Sequence, residues 1–371
     1  MSTPTTTHAP PARSAAHESG VAGDPTAHRV LSGDRPTGAL HLGHYLGTLA
    51  NRVRLQDAGL PVVLVIADYQ VITDRDSTDS RGTGETLRDR VRSLVADYLA
   101  CGIDPARTVI FPHSAVPALN QLMLPFLSLV TDAELRRNPT VKAELQESKR
   151  PLSGLLLTYP VHQAADILFC DADLVPVGKD QLPHLEVSRL IARRFNDRYG
   201  PTFTEPEALL SPAPLVLGTD GRKMSKSAGN TIPLGASEDA TAQAFRGART
   251  DAERVISYEP ERRPEIASLL TIAALCRGER PEDLAEAIGD GGAVMLKRLV
   301  TEAVNDLLRP IRARRRELMR DTGFLDAVLL DGTASATAMA ADTLSRVRAA
   351  MGMDYSRGDG QGVSGADGGH R

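Results

Sequence analysis

Two histidines stand three residues apart where a predicted strand gives way to a helix. The segment SGDRPTGALHLGHYLG, residues 32–47, is a glycine- and proline-rich loop that leads into a helix with His41 and His44 in its first turn. Free N–H groups at a helix N-terminus and imidazole donors both suit phosphate oxygens, and Gly43 permits a close approach of a ring or backbone. The segment contains neither a P-loop nor a dinucleotide-binding glycine pattern. Taken alone, it is equally well interpreted as a helix start that carries histidines by chance.

A second group of reactive side chains lies in the segment GTDGRKMSKSAGN, residues 218–230. Its centre is Lys223, Met224, Ser225, Lys226 and Ser227. Two ammonium groups neutralise a polyphosphate, and two hydroxyl groups donate to its oxygens. A lone KxxK is more often a solvated basic loop. However, both segments follow predicted strands of one α/β domain, and such sheets bind ligands at the carboxyl ends of their strands.

A third group lies in LTYPVHQAADILF, residues 157–169. Tyr159, Gln163 and Asp166 have i, i+4, i+7 spacing and share one face of a predicted helix. An aromatic ring, an amide and a carboxylate among apolar residues are typical of a pocket with few polar groups. An ionised Asp only accepts hydrogen bonds, so it favours a donor such as an indole N–H. The alternative is an Asp that pairs with a neighbouring Arg.

The elements that position these groups alternate between strand and helix. Apolar runs at residues 29–32, 61–68, 107–112 and 215–218 predict strands, and amphipathic segments between them predict helices, one of which starts after Pro160. This alternation indicates an α/β fold with a parallel sheet. From about residue 234 only helical patterns follow. Residues 1–27 and 354–371 have the composition of disordered tails.

Composition limits the class of protein. The 371 residues are 42% hydrophobic and 24% charged, as in ordinary globular proteins. A net charge of −4 leaves nucleic-acid contact to local basic patches, unless these are merely solvated helix faces. The candidates are Arg136, Arg137, Lys142, Arg309, Arg312, Arg314, Arg315 and Arg316. The three cysteines have no metal-site or disulfide spacing, which favours a reduced cytoplasm and predicts no metal ligand. No apolar run approaches the length of a membrane span.

The first two segments together resemble the HIGH and KMSKS signatures of class I aminoacyl-tRNA synthetases. KMSKS is present letter for letter, HLGH differs from HIGH only by Leu for Ile, and 182 residues separate His41 from Lys223. Within that class, the segments YPxxxAADI, DLVPVGKDQLPHLEVSR, SGxxPTGxLHLGHYLG and LLRPIRARRREL resemble tryptophanyl-tRNA synthetases. The resemblance covers about residues 28–353.

This resemblance implies a Rossmann-type catalytic domain at 28–233, with helices that form a homodimer, and an all-helical anticodon-binding domain at 234–353. It implies a cytoplasmic enzyme that uses ATP, with Mg²⁺ bound through the ATP phosphates. The enzyme would convert L-tryptophan to tryptophanyl-adenylate and pyrophosphate, then transfer the amino acid to tRNA(Trp).

The resemblance also implies roles for individual residues. Asp166 would accept the indole N–H of tryptophan, which would also be contacted by Tyr159, Gln163, Gln181, Gln70 and Leu31. ATP would be bound by Arg35, Pro36, Thr37, Gly43, His44, Gly178, Lys179, Asp180, Leu215, Lys223, Met224, Ser225, Lys226 and Ser227. The catalytic set would be His41, His44, Lys223, Ser225, Lys226 and Ser227.

Several positions depart from the pattern of bacterial relatives. Gln70 stands where many of them carry His, and Tyr69 replaces a Gln. Gln163 replaces Met, Arg35 replaces Gln, and Leu31 replaces Phe. Because these changes surround the substrate, one hypothesis is an auxiliary copy with altered sensitivity to inhibitors that mimic tryptophan. Neutral drift with co-adjusted packing explains the same changes.

Two other functions compete. A tyrosyl-tRNA synthetase shares the fold and both signatures, but the single acceptor on the AADI helix favours indole over a phenol, which both donates and accepts. A synthetase-like regulatory or RNA-binding protein would carry degraded signatures or lack the helical domain, as a plain nucleotidyltransferase would lack it.

Overall fold

The chain folds around a five-stranded parallel sheet. A computed structural model describes residues 24–73, 85–148, 151–178, 182–210, 216–226 and 228–355. The strands are β1 (Val30–Asp34), β2 (Val62–Ile66), β3 (Thr108–Pro112), β4 (Leu174–Val177) and β5 (Glu207–Leu210). Their order is β3-β2-β1-β4-β5, and all four pairings are parallel. The predicted α/β fold with a parallel sheet is confirmed.

The chain order reverses at the centre of the sheet. From β1 it runs outward to β2 and β3 on one side, whereas β4 and β5 lie on the other. The carboxyl ends of β1 and β4 therefore diverge, and this point of reversal is where open α/β sheets bind ligands. The loop with His41 and His44 starts at the carboxyl end of β1.

Helices cover the sheet and continue beyond it. They are α1 (Leu42–His44), α2 (Ala50–Asp57), α3 (Leu87–Ala100), α4 (Ala118–Leu127), α5 (Asp132–Arg137), α6 (Pro139–Ser148), α7 (Gly154–Leu168), α8 (Leu182–Tyr199), α9 (Glu238–Arg246), α10 (Pro264–Arg277), α11 (Pro281–Ile288), α12 (Gly292–Leu318) and α13 (Thr322–Ala350). A π-helical segment, Tyr45–Leu49, joins α1 to α2. Within the described ranges, every helix is too short or too polar to cross a bilayer.

The alternation of side chains along the strands separates two hydrophobic cores. Val30 and Leu64 face a core shared with α3, α10 and α12, whereas Leu31 and Val63 face one shared with α4, α7 and α8. The last helix, α13, returns to the sheet and packs along β3. A Cβ at Gly332 would lie 1.9 Å from the carbonyl oxygen of Ile110, so this contact requires glycine.

Two predicted boundaries were wrong. The helix expected to start after Pro160 starts at Gly154, because the Ser153 hydroxyl accepts the N–H of Leu156 at 3.1 Å, and Pro160 lies inside it. The strand expected at 215–218 is not part of the sheet: Leu215 lies outside the described residues, and Leu217 forms only an isolated bridge with Lys223. The two strands that complete the sheet, β4 in the LVPV segment and β5 in the EALL segment, were not predicted.

A buried carboxylate joins the helical C-terminal region to the first signature loop. Asp97 on α3 is 2% exposed, accepts the backbone N–H of Leu40 at 3.2 Å, and accepts Nε of Arg315 on α12 at 2.5 Å. Arg315 also donates to the hydroxyl of Ser93 at 2.7 Å. Arg315 is therefore held by protein partners and is not a free member of the arginine patch. The division of the chain at residue 233 stays a prediction.

We expect Arg315→Gln to lower the free energy of unfolding by about 3 kcal/mol, because it leaves a buried carboxylate without its counter-charge. Urea unfolding measures this loss. The exposed neighbour Arg314, which has no partner among the described residues, provides the control: Arg314→Gln should change the value by less than about 0.5 kcal/mol. Equal values for the two variants would contradict a structural role for the pair.

Candidate active site

The two signature histidines contact each other at the start of α1. The His41 N–H donates to Nδ1 of His44 at 3.2 Å, and the ring centroids lie 3.7 Å apart. Since Nδ1 of a neutral His44 accepts this bond, its proton resides on Nε2. His44 therefore has an N–H that is available to donate to a ligand.

Both imidazoles are neutral at physiological pH. Burial lowers the pKa of His41 to about 3, and the nearby His44 and Lys226 add to the effect. Burial likewise lowers the pKa of His44 to about 4, although the carboxylate of Asp34 opposes the shift. These rings offer hydrogen-bonding dipoles rather than charge, so positive charge for a polyphosphate must come from other residues.

The KMSKS loop supplies that charge, and it packs against the first loop. Nζ of Lys226 donates to the carbonyl oxygen of Gly38 at 2.8 Å. The side chain of Met224 is buried, and its sulfur would lie only 3.2 Å from a Cβ at Gly43. Gly43 is therefore needed for the two loops to approach. The predicted meeting of the two segments occurs at the carboxyl end of β1.

One buried amide organises the KMSKS loop from below. Asn230, 2% exposed, accepts the N–H of Ser225 at 2.8 Å and donates to Oδ1 of Asp220 at 2.7 Å and to the carbonyl of Lys223 at 3.1 Å. These contacts close the loop between Asp220 and Asn230 into a defined turn. The segment is thus held at its base, while Lys223 and Lys226 remain exposed.

A buried ion pair fixes the end of β1 beside His44. Oδ2 of Asp34 accepts Nη1 of Arg52 at 2.5 Å and the hydroxyl of Tyr98 at 2.6 Å. Burial opposes ionisation of Asp34, but the Arg52 guanidinium and the Tyr98 hydroxyl outweigh it and hold the pKa of Asp34 at about 2. Sequence reasoning missed this trio, because its members lie 18 and 64 residues from Asp34.

Asp166 lies in a second buried cluster, with partners that the sequence did not predict. Oδ1 of Asp166 accepts a short hydrogen bond from Nδ1 of His113, which follows β3. Oδ2 accepts Nε2 of Gln70, which follows β2, at 3.3 Å, and the same amide lies 3.1 Å from Nδ1 of His162. The expected alternative, an Asp–Arg pair, is not seen among the described residues. The acceptor is held by a histidine and an amide.

The protonation of this cluster follows from its surroundings. Burial opposes the positive charge of His113, but the carboxylate of Asp166 outweighs it and raises the pKa of His113. Burial dominates at His162 and lowers its pKa. His113 therefore donates to Asp166, whereas the neutral His162 accepts from Gln70.

The same three groups, His113, His162 and Asp166, have ligand atoms within 4.8 Å of one another. The two rings, however, are stacked with centroids 3.7 Å apart and planes inclined by 23°. A metal ion lies near the plane of each imidazole that binds it. Because the two ring planes are stacked and nearly parallel, their nitrogen lone pairs point in separate planes and do not converge on one ion. The arrangement suits a hydrogen-bonded network.

The remaining predicted residues are distributed around these two clusters. Tyr159 is buried, and its hydroxyl lies 2.9 Å from Nε2 of His184; Leu31 is buried in β1, and Gln163 is partly exposed. In the first loop Pro36 is buried, whereas Arg35 and Thr37 are exposed, as is Gly178 after β4. Lys179, Asp180, Gln181, Leu215 and Ser227 lie outside the described residues.

A family model described as "tRNA synthetases class I (W and Y)" matches residues 25–309. The chain belongs to this family. It is 42% identical over 342 residues to the tryptophan–tRNA ligase of Treponema pallidum, covering 88% of this chain and 97% of that one. It is 40% identical over 336 residues to that of Thermotoga maritima, covering 88% and 100%.

Among solved structures, the tryptophanyl-tRNA synthetase of Campylobacter jejuni in complex with ADP and tryptophan is similar to this chain. The TM-score is 0.75 at 30% identity, and the match covers 87% of this chain and 99% of the other. The likeness thus extends over the sheet and the C-terminal helices of this class I synthetase.

We expect His41 to make the protein less stable in mild acid. Its pKa is about 3 in the folded chain and 6.5 when unfolded, so the unfolded state binds more protons below pH 6.5 and stability falls as the pH drops through this window. The contribution is at most about 2 kcal/mol at pH 5.

Urea unfolding of the parent and His41→Asn at pH 7 and pH 5 measures this effect. The parent should lose more stability between the two pH values than the variant. A packing defect of the variant is the same at both pH values, so it cancels in this difference. An identical pH dependence in the two proteins would show that His41 is not desolvated.

Proposed function

We propose that this class I synthetase is a tryptophan–tRNA ligase: it activates L-tryptophan with ATP and transfers it to tRNA(Trp). The observation that carries the proposal is the contact between the KMSKS loop and the HLGH loop at the carboxyl end of β1, where Lys226 lies 2.8 Å from the Gly38 carbonyl. Ammonium groups and neutral imidazole donors meet there beside the carboxylate of Asp34. The two curated relatives described above are both named tryptophan–tRNA ligase, which supports the same function.

ATP binds with its phosphates over the first turn of α1. His44 Nε2–H and His41 donate to phosphate oxygens, and Arg35, Pro36, Thr37 and Gly43 line the nucleotide. Gly178, Lys179 and Asp180 hold the ribose and adenosine side, and the backbone of Leu215 contacts adenine. Mg²⁺ enters with ATP, bound to its phosphates.

In the first step, the tryptophan carboxylate attacks the α-phosphate of ATP in line and expels pyrophosphate. Lys223 and Lys226, with Ser225 and Ser227, stabilise the charge that develops on the departing pyrophosphate. Lys226 exchanges the Gly38 carbonyl for a phosphate oxygen, a movement that strengthens its contact as the charge grows. The terminal ribose hydroxyl of the tRNA then attacks the adenylate carbonyl, which forms the ester, breaks the bond to AMP and releases AMP together with the hydroxyl proton.

Asp166 selects the amino acid by its ring N–H. An ionised carboxylate offers about four acceptor positions, and His113 and Gln70 occupy two of them. A position remains for the indole N–H of tryptophan, while Tyr159, Gln163, Gln181 and Leu31 surround the amino acid. A phenol hydroxyl can donate its proton to the same carboxylate, but its oxygen then also needs a donor, which an indole ring does not require, so the pocket discriminates against tyrosine.

The enzyme acts as a cytoplasmic homodimer, as expected from the family. The helices of the first part of the chain form the dimer contact, and the C-terminal helices bind the anticodon.

The decisive measurement is amino-acid-dependent ATP–pyrophosphate exchange. The parent should exchange with tryptophan and not with tyrosine, and a comparable kcat/KM for tyrosine would favour the tyrosine member of the family instead.

Asp166→Asn should lower kcat/KM for tryptophan roughly 100-fold, because the amide presents a donor toward His113 or Gln70 and removes the charge. Asp132→Asn, at an exposed position on α5, is the control and should have no effect. Unchanged rate and selectivity in Asp166→Asn would contradict the proposal.

Gln70 is the departure from the bacterial pattern that lies nearest to Asp166. Because its amide donates to the same carboxylate as the indole, Gln70→His should change the inhibition constant of an indole-bearing tryptophan analogue in the exchange assay. Equal inhibition constants in the parent and the variant would leave neutral drift as the explanation for Gln70.

A further inference from the structure

A second cationic site lies outside the catalytic cleft, between α9 and α12. A cavity of about 350 Å³ opens there, lined by Gly235, Ala236, Ser237, Glu238, Arg309, Arg312 and Arg316. The three arginines are spaced three and four residues apart, so they share one face of α12. A role of this site in RNA binding rests on the proposed tRNA ligase function.

Arg312 is a buried cation without an anionic partner. The residue is 5% exposed; Nη1 donates to Oδ1 of Asn305 at 2.9 Å, and Nη2 donates to the hydroxyl of Thr241 at 2.7 Å. Its Nε is buried and has no acceptor. No carboxylate of a described residue forms an ion pair with it. Two neutral acceptors orient this guanidinium but do not balance its charge.

The charges around the cavity leave an excess of positive charge. Glu238 is the acidic residue in the lining, and its carboxylate already accepts Nε of Arg309 at 2.9 Å. Arg316 is exposed and has no partner among the residues that the structure describes. Burial together with the neighbouring Arg309 and Arg316 lowers the pKa of Arg312, while Glu238 opposes the shift. An uncompensated buried charge is strongly unfavourable, so a fold that retains one is poised to receive an anion.

A phosphate group is the anion that best suits the guanidinium N–H groups of this cavity. A guanidinium with a free N–H edge binds phosphate oxygens through directed, charge-assisted bonds. Positive charge from the N-terminus of α9, a nine-residue helix, adds to that of the arginines.

The position of the cavity favours a phosphate of bound RNA. Gly235 follows Leu234, whose N–H donates to the carbonyl of Leu40 at 2.9 Å, and Pro233 forms a bridge with His41. The wall of the cavity is thus within two residues, about 7 Å of chain, of the residue that pairs with His41. An RNA that brings its terminal hydroxyl to the catalytic site has to cross the surface near this segment.

We propose that Arg312 and Arg316 bind a phosphodiester of the tRNA backbone in this cavity. The probe is an in vitro transcript of tRNA(Trp), and its Kd is measured by fluorescence anisotropy at several salt concentrations. Arg312→Gln should raise the Kd about tenfold and reduce the slope of log Kd against log salt by about 1. Arg316→Gln should act in the same direction, and its exposed position makes it independent of folding.

The matched control is Arg298→Gln, an exposed arginine fourteen residues earlier on α12, about 21 Å along the helix, whose partner is Glu302. It should leave the Kd and the salt slope unchanged. ATP–pyrophosphate exchange needs no RNA, so it serves as the check on folding; if Arg312→Gln does not fold, Arg316→Gln decides the question. An absence of tryptophan-dependent exchange in the parent itself would refute the proposed ligase function, separately from this site.

Inorganic phosphate distinguishes the source of the anion. If phosphate raises the Tm of the parent but not that of Arg312→Gln, and the Kd for the transcript is the same in both proteins, the cavity binds a free anion and the RNA contact is refuted. Parent values of both Kd and salt slope in Arg312→Gln and Arg316→Gln likewise overturn the proposal.

Discussion

The carboxylate of Asp97 is the constraint on which the active-site geometry depends. It accepts the Leu40 N–H, one residue before His41, and the Arg315 guanidinium of α12. Burial outweighs these partners and raises the pKa of Asp97. The cost of burying the carboxylate is offset by its contacts with Arg315 and Leu40. Consequently, the helices after residue 234 help to set the height of the HLGH turn over the sheet. A movement of α12 would therefore act on the HLGH turn through the contacts of Arg315 and Leu40 with Asp97.

The cleft contains two kinds of polar group: the neutral imidazoles of the HLGH turn and the charged ammonium groups of the KMSKS loop. His41 is buried, His44 is half-buried, and both are neutral, whereas the ammonium groups belong to a loop that Asn230 holds at its base. If the histidines were charged, the cleft would attract any anion before substrate arrived and would repel Lys226. In the proposed mechanism, neutral rings leave the strongest attraction to develop when Lys226 exchanges the Gly38 carbonyl for a phosphate oxygen. This order favours stabilisation of the transition state over tight binding of ATP.

The sequence predicted the elements that depend on local pattern. The strands around Val62–Ile66 and Thr108–Pro112 and the long helices followed from apolar runs and periodicity. The position of the HLGH loop followed from the rule that ligands bind at strand ends, whereas the strand expected before the KMSKS loop is not part of the sheet. The partners of Asp166 could not be predicted in this way. His113 is 53 residues away in sequence and contacts Asp166 because β3 and α7 pack into the same hydrophobic core. The EALL segment became β5 because pairing with β4 overrides a weak local preference.

The environment of Asp166 shows why such non-local contacts matter for specificity. A lone buried carboxylate would take up a proton or collapse onto a cation, and in either state it would recognise an indole poorly. His113 donates to one oxygen, so the second oxygen is left to Gln70 and, in the proposed complex, to the substrate. The stacked His162 accepts from the same Gln70 amide and thereby limits how far it can rotate. The proposed selectivity for a single ring proton thus depends on residues from three separate elements, the loops after β2 and β3 and helix α7. A substitution at any one of them alters how the others hold the carboxylate.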